Sequence, residues 1–498
     1  RKIGEDFELG AMVGHSFLKT RSRTSYIDAQ NYPSPAFDVA SVAANIVDAS
    51  AGLSEYAIES YFARLSLAYK DRYVVNATIR TDGSSRFAPD CRWGWFPSVS
   101  VGWNVSNESF WNAEKTDLKI RASYGRTGNQ DGISNYGWQA LISGGVNYGG
   151  QSGIAISSSG NDRLTWETAD QYNAGFDLSF LGGKINMIAD VYLKNTNNLL
   201  YSKPVHATTG ETSILSNIGS MRNKGVEFTI NTHLNLGKVL WSSSFNIARN
   251  VNKLTSLLED DLLSIGANRA LKLGRTVGSW YIFRTDGIYQ YDGEVPQALY
   301  DKGVRAGDVK YWDRNGDGNI TDDDRIVTGN PNPKFSGGWN NTFKYKGLEL
   351  SLFFTYSYGN DVYASWMIPG SKPGHTRSLL KAYADNRWTG PGTSDKYPRA
   401  IYSYSGWNGK NSTMYLTDGS FIRLRSVTLG YTFPQRLVSK IHLKGLRVYA
   451  QGDNVFLCSR YPGWDPETSV NLDPRFYGED NDGVPQPRIF KLGVNITF

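Results

Sequence analysis

Apolar and polar residues alternate one for one along much of this chain. In SVSVGWNV the apolar positions are Val99, Val101, Trp103 and Val105, and the residues between them are small or polar. KINMIADVYL repeats the pattern through Ile185, Met187, Ala189, Val191 and Leu193, and LELSLFFTYSY through Leu348, Leu350, Leu352, Phe354, Tyr356 and Tyr358. The closing residues FKLGVNITF set Phe490, Leu492, Val494, Ile496 and Phe498 against Lys491, Gly493, Asn495 and Thr497. A period of two sends successive side chains to opposite faces of a strand, so the predicted elements are strands. Their length carries a second message. Runs of this size match the ~9–11 residues that a tilted strand needs to cross a bilayer, and exceed the ~5–6 residues of an average globular strand.

The connections carry as much information as the strands. Short links are predicted at Lys70 to Arg72, Leu181 to Gly183, Asn235 to Lys238 and Lys346–Gly347, each joining two alternating runs as a hairpin. Somewhat longer ones follow Ser106 and Phe433. Between them come Gly-, Ser- and Asn-rich segments at 18–60, 127–170, 195–224, 250–334, 359–420 and 453–487, and an intermediate link at 81–97. Short and long alternate down the chain, as in an outer-membrane barrel with tight periplasmic turns and long outer loops. The expected fold is therefore all-β, a transmembrane antiparallel up-and-down barrel. Counting from Phe7, about fourteen wall strands are expected, with the last ending on the periplasmic side. One segment strains the count: Ser279 to Gln290, SWYIFRTDGIYQ, reads as a single strand where the order allows none or two, so either a second irregular strand lies near it or the segment is loop structure outside the wall.

Composition agrees with this picture. The chain has 498 residues with 52 Gly, 30 Tyr, 22 Phe, 14 Trp and only 5 Met, which favours strands, turns and interfacial aromatics over packed helices. No stretch approaches the ~18 consecutive apolar residues of a membrane helix. Net charge is +6 and the basic residues are scattered, so nucleic acid is not an expected partner. Arg1 is read as a cut or processed end, which leaves a leader segment undecided. Cys91 and Cys458 have no zinc or redox spacing, and a structural pair between them rests on their number alone.

Seven strings in order carry a family resemblance. They are DGSSRF leading to WGWFPSVSVGW, LTWE, NIGSMRNKGVEF, NGDGNITDDDR, FIRLRSVTLGYTFP and GWDPE, spread from Asp82 to Glu467. Together they resemble the SusC/RagA type of TonB-dependent transporter of the Bacteroidetes outer membrane. The resemblance implies a twenty-two-stranded barrel with an N-terminal plug, a SusD-like lipoprotein lid, and TonB-driven import of oligosaccharides or peptides. No plug or TonB box is recognised before Phe7, so this chain resembles the C-terminal barrel portion, and coupling to TonB is expected through a region not found in it. A passive porin-like channel and a soluble all-β glycan-binding protein are the competing readings.

Local chemistry is sparse. DRNGDGNITDDD places Asp313, Asn315 and Asp317 at positions one, three and five, Gly318 at the turn, the Asn319 carbonyl at seven and Asp324 at twelve. That spacing suits a hard oxygen-seeking cation, so it supports either a structural Ca²⁺ loop or a metal-free turn using the same residues as caps. His15, His206, His233, His375 and His442 stand singly, and no nucleophile elbow or Walker loop is present, so no enzyme activity is expected. No organic cofactor is expected either. Acidic pairs such as Asp260/Asp261 and Glu479/Asp480 read as solvated loop charge. Trp138, Trp366, Trp388, Trp407 and Trp464 lie in the long segments, where they would stack on cargo, meet a partner or build the loops themselves. Trp103 and Trp241 read as interfacial girdle.

Overall fold

The computed structural model describes residues 1–498 except 1, 5, 113, 114, 207, 209, 210, 212, 258–261, 371–377 and 402–405. They fall into two compact units. One comprises Arg1–Glu108, Ile120–Ala174 and Lys194–Met221, the other Ser109–Lys119, Gly175–Leu193 and Arg222–Phe498.

The strands follow chain order across a fifteen-stranded sheet: a two-residue strand, Lys2–Ile3, then fourteen long ones. These are β1 (Phe7–Gln30), β2 (Asn45–Tyr69), β3 (Tyr73–Ser84), β4 (Trp93–Asn104), β5 (Thr116–Asn129), β6 (Glu167–Phe180) and β7 (Ile185–Asn197). Then come β8 (Ser220–Leu236), β9 (Val239–Ser256), β10 (Phe335–Tyr345), β11 (Leu348–Tyr358), β12 (Phe421–Thr432), β13 (Gly445–Ser459) and β14 (Ile489–Thr497). The described pairings in this sheet are antiparallel.

The links that leave β2, β4, β6, β8, β10 and β12 are all compact, whereas long links leave β1, β5, β7, β9, β11 and β13, and a short one, 85–92, leaves β3. The tight turns are set by backbone chemistry. Lys70 and Asp71 both take φ 53°, the left-handed pair that matches the twist of a hairpin. At Lys346–Gly347 the second residue sits at φ 88°, and a Cβ there would lie 2.5 Å from the Thr432 carbonyl oxygen, so only glycine fits.

Alternation gives the wall two unlike faces. Tyr73, Ile79, Val99 and Val101 share one face of β3 and β4 and are exposed. On β14, Phe490 is 73%, Leu492 89%, Val494 57% and Ile496 48% exposed, with no protein covering the row. Rings gather where the short links lie: Phe7, Tyr69, Tyr73 and Trp103 are opposed in turn across β1 to β4, and Trp241 stacks on Phe343. The other face is polar and bonded to itself. Arg80 grips Asp82 and Ser60, Ser66 donates to Asn76, and Glu349 sits between Lys344 and Arg447.

One sequence expectation changes, and one open alternative is decided. The segment 18–60, expected as a loop, is the outer half of the β1–β2 hairpin, with register running from Phe7↔Tyr69 to Gln30↔Asn45 and a link only at 31–44. Ser279 to Gln290 is not wall. Trp280–Phe283 belongs to a four-stranded sheet within link 257–334, and Thr285–Ile288 pairs with Val309–Tyr311.

The dry cores are built mainly from link residues, with Phe96 of β4 contributed by the wall. In the first unit Phe87, Phe96, Ile133, Leu164 and Trp166 pack together. In the second, one cluster gathers around Phe283, Leu299, Val309 and Tyr311, and another around Trp280, Val362, Tyr363, Tyr415 and Tyr461. The long segments are therefore folded modules built on top of strands.

Candidate functional site

Three links of the second unit interlock by backbone pairing and buried charge. Asp361–Ala364 pairs antiparallel with Leu416–Asp418 and parallel with Glu479–Asp480, which joins link 359–420 to link 460–488. The Phe283 N–H of link 257–334 donates to the Asn411 carbonyl of link 359–420 at 2.9 Å, and Arg269 ties link 257–334 to link 460–488. Its guanidinium is fully buried, stacks 4.1 Å from the Trp280 ring centroid, and donates to the carbonyls of Gly278, Phe476 and Tyr477. Burial pulls it down to about 10, so it stays charged at neutral pH.

A second clasp ties link 460–488 to the wall. Arg423 on β12 donates to Asp465, and its Nε lies 2.7 Å from Glu467 Oε2; both Arg423 and Asp465 are only 3% exposed. The Asp465 carboxylate also accepts from the backbone N–H of Glu467 at 3.0 Å and of Gln486 at 3.2 Å. One carboxylate thus closes the link into a compact loop.

That loop carries one wall of a cleft of about 520 Å³, lined by Trp366, Leu380, Pro462, Trp464, Asp480 and Val484 among others. The two indoles differ in how they are held. Trp366 donates its Nε1–H to the Tyr461 hydroxyl at 3.0 Å, and Tyr461 donates onward to Asp480 Oδ2 at 2.6 Å. Asp480 Oδ1 accepts from the Gly483 N–H at 2.9 Å. Burial and the bond to Asp480 push the Tyr461 hydroxyl far above the ordinary phenol range, so it remains a donor. Trp464 stands 81% exposed at the rim.

The expected site residues separate. Trp366 and Trp464 meet at the cleft. Trp388 and Trp407 do not: they pack on the core around Phe283, with Nε1–H given to Gln290 Oε1 and to the Val309 carbonyl. Trp138 belongs to the other unit and is half-buried in link 130–166. Asp480, expected as solvated loop charge, is 3% exposed and serves as the anchor of the Tyr461 chain. Its neighbour Glu479 is half-buried, and Asp260, Asp261 and His375 lie outside the described residues. Cys91 and Cys458 are unbridged. The signal that sequence reading lacked was Tyr461, whose hydroxyl fixes one indole.

The Asp/Asn loop closes on its own backbone. Asp313 accepts from the N–H of Gly316 and Gly318 at 2.7 and 2.8 Å, Asn315 from Asp317, and Asp317 from Asn319. Asp324 is fully buried and accepts from the N–H of Arg314 at 2.9 Å and Thr321 at 2.8 Å. The Asn319 side chain takes a bond from Lys302. Among the described residues, no group of three or more His, Cys, Asp and Glu side chains is placed to hold a metal ion.

Comparison with known proteins adds the family. Residues 2–455 match the model for the "TonB dependent receptor-like, beta-barrel" family. A TonB-dependent receptor of Formosa agariphila is 33% identical over 522 residues, covering 100% of this chain and 52% of that receptor. The TonB-dependent receptor SusC of Bacteroides thetaiotaomicron is 31% identical over 464 residues, covering 88% of this chain and 43% of SusC. The chain therefore spans about half the length of the curated relatives it matches. Among solved structures, the RagAB peptide transporter matches with a TM-score of 0.86 at 23% identity over 100% of this chain and 54% of that one, a likeness of fold. These relatives are named as receptors and transporters, not enzymes.

Proposed function

The chain belongs to the TonB-dependent receptor β-barrel family, and from that premise we propose that it supplies wall and surface links to a SusC/RagA-type importer of the outer membrane. One observation carries the proposal. Long strands with uncovered apolar rows are joined by short turns on one side and by folded, core-bearing links on the other. A soluble protein would hide such rows against a second layer, whereas acyl chains cover them at no cost. In hydrocarbon every backbone group needs a partner, so these strands work as part of a closed wall.

The short turns and the C-terminus then face the periplasm, and the long links face outward, where a SusD-like lipoprotein lies over them. The cargo is an oligosaccharide or a peptide, taken between links and lid. TonB supplies the energy through a plug region, so the protein moves its cargo without altering it.

Uptake by cells tests this. With the gene intact, uptake of the cargo is expected to cease when TonB is inactivated or when the SusD-like partner is deleted. Flux that persists without TonB would leave a passive channel and overturn the proposal.

A further inference from the structure

The lipid-facing side of the wall is hollowed where β8 to β11 turn back, and we propose that the hollow seats an anionic phospholipid, with one acyl chain in the groove and the phosphate at Lys238 and Lys346. The proposal rests on the membrane reading above and goes beyond import. Three observations carry it.

The first is shape. A groove of about 450 Å³ is lined by Leu236, Trp241, Trp339, Phe343, Leu352 and Phe354, with Asn341 at its floor. That is the size of a small-ligand site. Its origin is the register: Ser243 of β9 lies opposite Asn341 of β10, and this pair is flanked by Trp241 with Phe343 on one side and Phe245 with Trp339 on the other. Large rings around a pair of shorter side chains leave a hollow between them.

The second is that the hollow offers apolar surface although its floor is polar. Trp241 donates its indole N–H to Asn341 Oδ1 at 3.1 Å, and Trp339 donates to Ser243 Oγ at 2.9 Å. Asn341 is 4% and Ser243 9% exposed, so both polar groups are spent on the indoles instead of being left bare in hydrocarbon. What remains for a ligand is ring and aliphatic surface, which suits an acyl chain.

Charge at the rim is the third. Lys238 and Lys346 occupy the turns that follow β8 and β10. Both are exposed and neither is ion-paired among the described residues, whereas Lys344 is held by Glu349 at 3.0 Å. Lys346 Nζ lies 5.4 Å from the ring centroid of Tyr345, which alternation puts on the same face of β10 as Asn341 and Phe343. Ser243 lies five residues beyond Lys238. At ~3.3 Å per residue and a tilt of ~40° this spans about 12 Å of depth, which sets a phosphate at the rim and its upper methylenes in the groove. A second copy of the chain fits less well, because an isologous contact here would bring the same lysines against each other.

The test is native mass spectrometry of the detergent-purified protein at its natural length, titrated with dioleoyl phosphatidylglycerol and, separately, with zwitterionic dioleoyl phosphatidylcholine. Phosphatidylglycerol is expected to bind the more tightly. Lys238→Gln and Lys346→Gln should each weaken it about fivefold, the scale of one basic residue at an anionic lipid surface, and leave phosphatidylcholine unchanged. Ser243→Leu fills the hollow and should weaken both lipids; an unchanged protease-digestion pattern checks that it is folded, and the lysine changes, in exposed turns, probe the site without it. Equal affinity for the two lipids, phosphatidylglycerol binding that ignores both lysine changes, or a folded Ser243→Leu that binds as before overturns the proposal. So does a dimer that excludes lipid and is lost in Ser243→Leu. Insertion into vesicles is scored separately: protein that inserts without any lipid preference sinks the site and leaves the wall standing, while protein that stays outside the vesicles sinks the membrane reading and the site with it.

Discussion

Replacing Arg423 with Met removes one end of a buried clasp and should free link 460–488 from the wall. Asp465, 3% exposed, would lose the one cation paired with it among the described residues. Its remaining partners, the N–H groups of Glu467 and Gln486, solvate only part of it. Glu467 would keep Arg425. Breaking a buried pair from one side costs roughly 3–5 kcal/mol because an uncompensated charge remains inside. At about 1.4 kcal/mol per decade, the opening equilibrium should shift by roughly two to three and a half orders of magnitude. Amide exchange at Gly463 to Thr468 reads that shift as lost protection, while wall amides of β13 keep theirs. The double variant Arg423→Met/Asp465→Asn should recover most of the loss, since a neutral amide still accepts one N–H. Unchanged exchange in Arg423→Met, or equal losses in single and double variants, would refute the idea that the buried charge pair holds the link.

Further outcomes follow from other buried carboxyls. Burial, reinforced by Asp418 and opposed by the Asn330 N–H, raises Asp361 above the ordinary carboxylate range. A raised folded value means its contribution is fully present below the unfolded value near ~3.9 and is lost as pH rises through the folded value. Asp361→Asn should therefore increase protease resistance of link 359–420 at pH 7, with the gain vanishing toward pH 4; a gain independent of pH would contradict this. Asp324→Ala removes the buried acceptor of the Arg314 and Thr321 N–H groups, at about 0.5–1.5 kcal/mol per hydrogen bond, and should open link 257–334 to protease. With Asp324 in place, chelator is expected to leave the cleavage pattern unchanged, and Ca²⁺-dependent protection would show instead that the turn needs a cation.

The wall was legible in the sequence because lipid on one side and water on the other write a period of two into every strand. The fourteen expected strands and their turns correspond to those observed, from Phe7 onward. Legibility failed where that contrast disappears. The outer half of β1 reads KTRSRTSYIDAQ, polar on both faces, and is held as strand by β2 and by pairs such as Lys19 and Arg21 with Glu55. The opposite ambiguity, which left two readings open, occurs at Trp280–Phe283. Trp280, Ile282 and Phe283 are all buried, so both faces are apolar and a core strand resembles a wall strand. Among the tryptophans, composition could not separate platform from core. That depends on where each indole N–H finds its acceptor: Tyr461 beside the cleft for Trp366, a carbonyl inside the core for Trp407.

Spin labels placed one at a time from Phe490 to Thr497, in membrane-reconstituted protein with Cys91 and Cys458 replaced, test the central claim most directly. Labels at Leu492, Val494 and Ile496 should be relaxed by lipid-soluble oxygen, and labels at Lys491, Gly493 and Asn495 by a water-soluble nickel chelate, in strict alternation along β14. Uniform access to the nickel reagent at all these positions would contradict a wall that faces lipid.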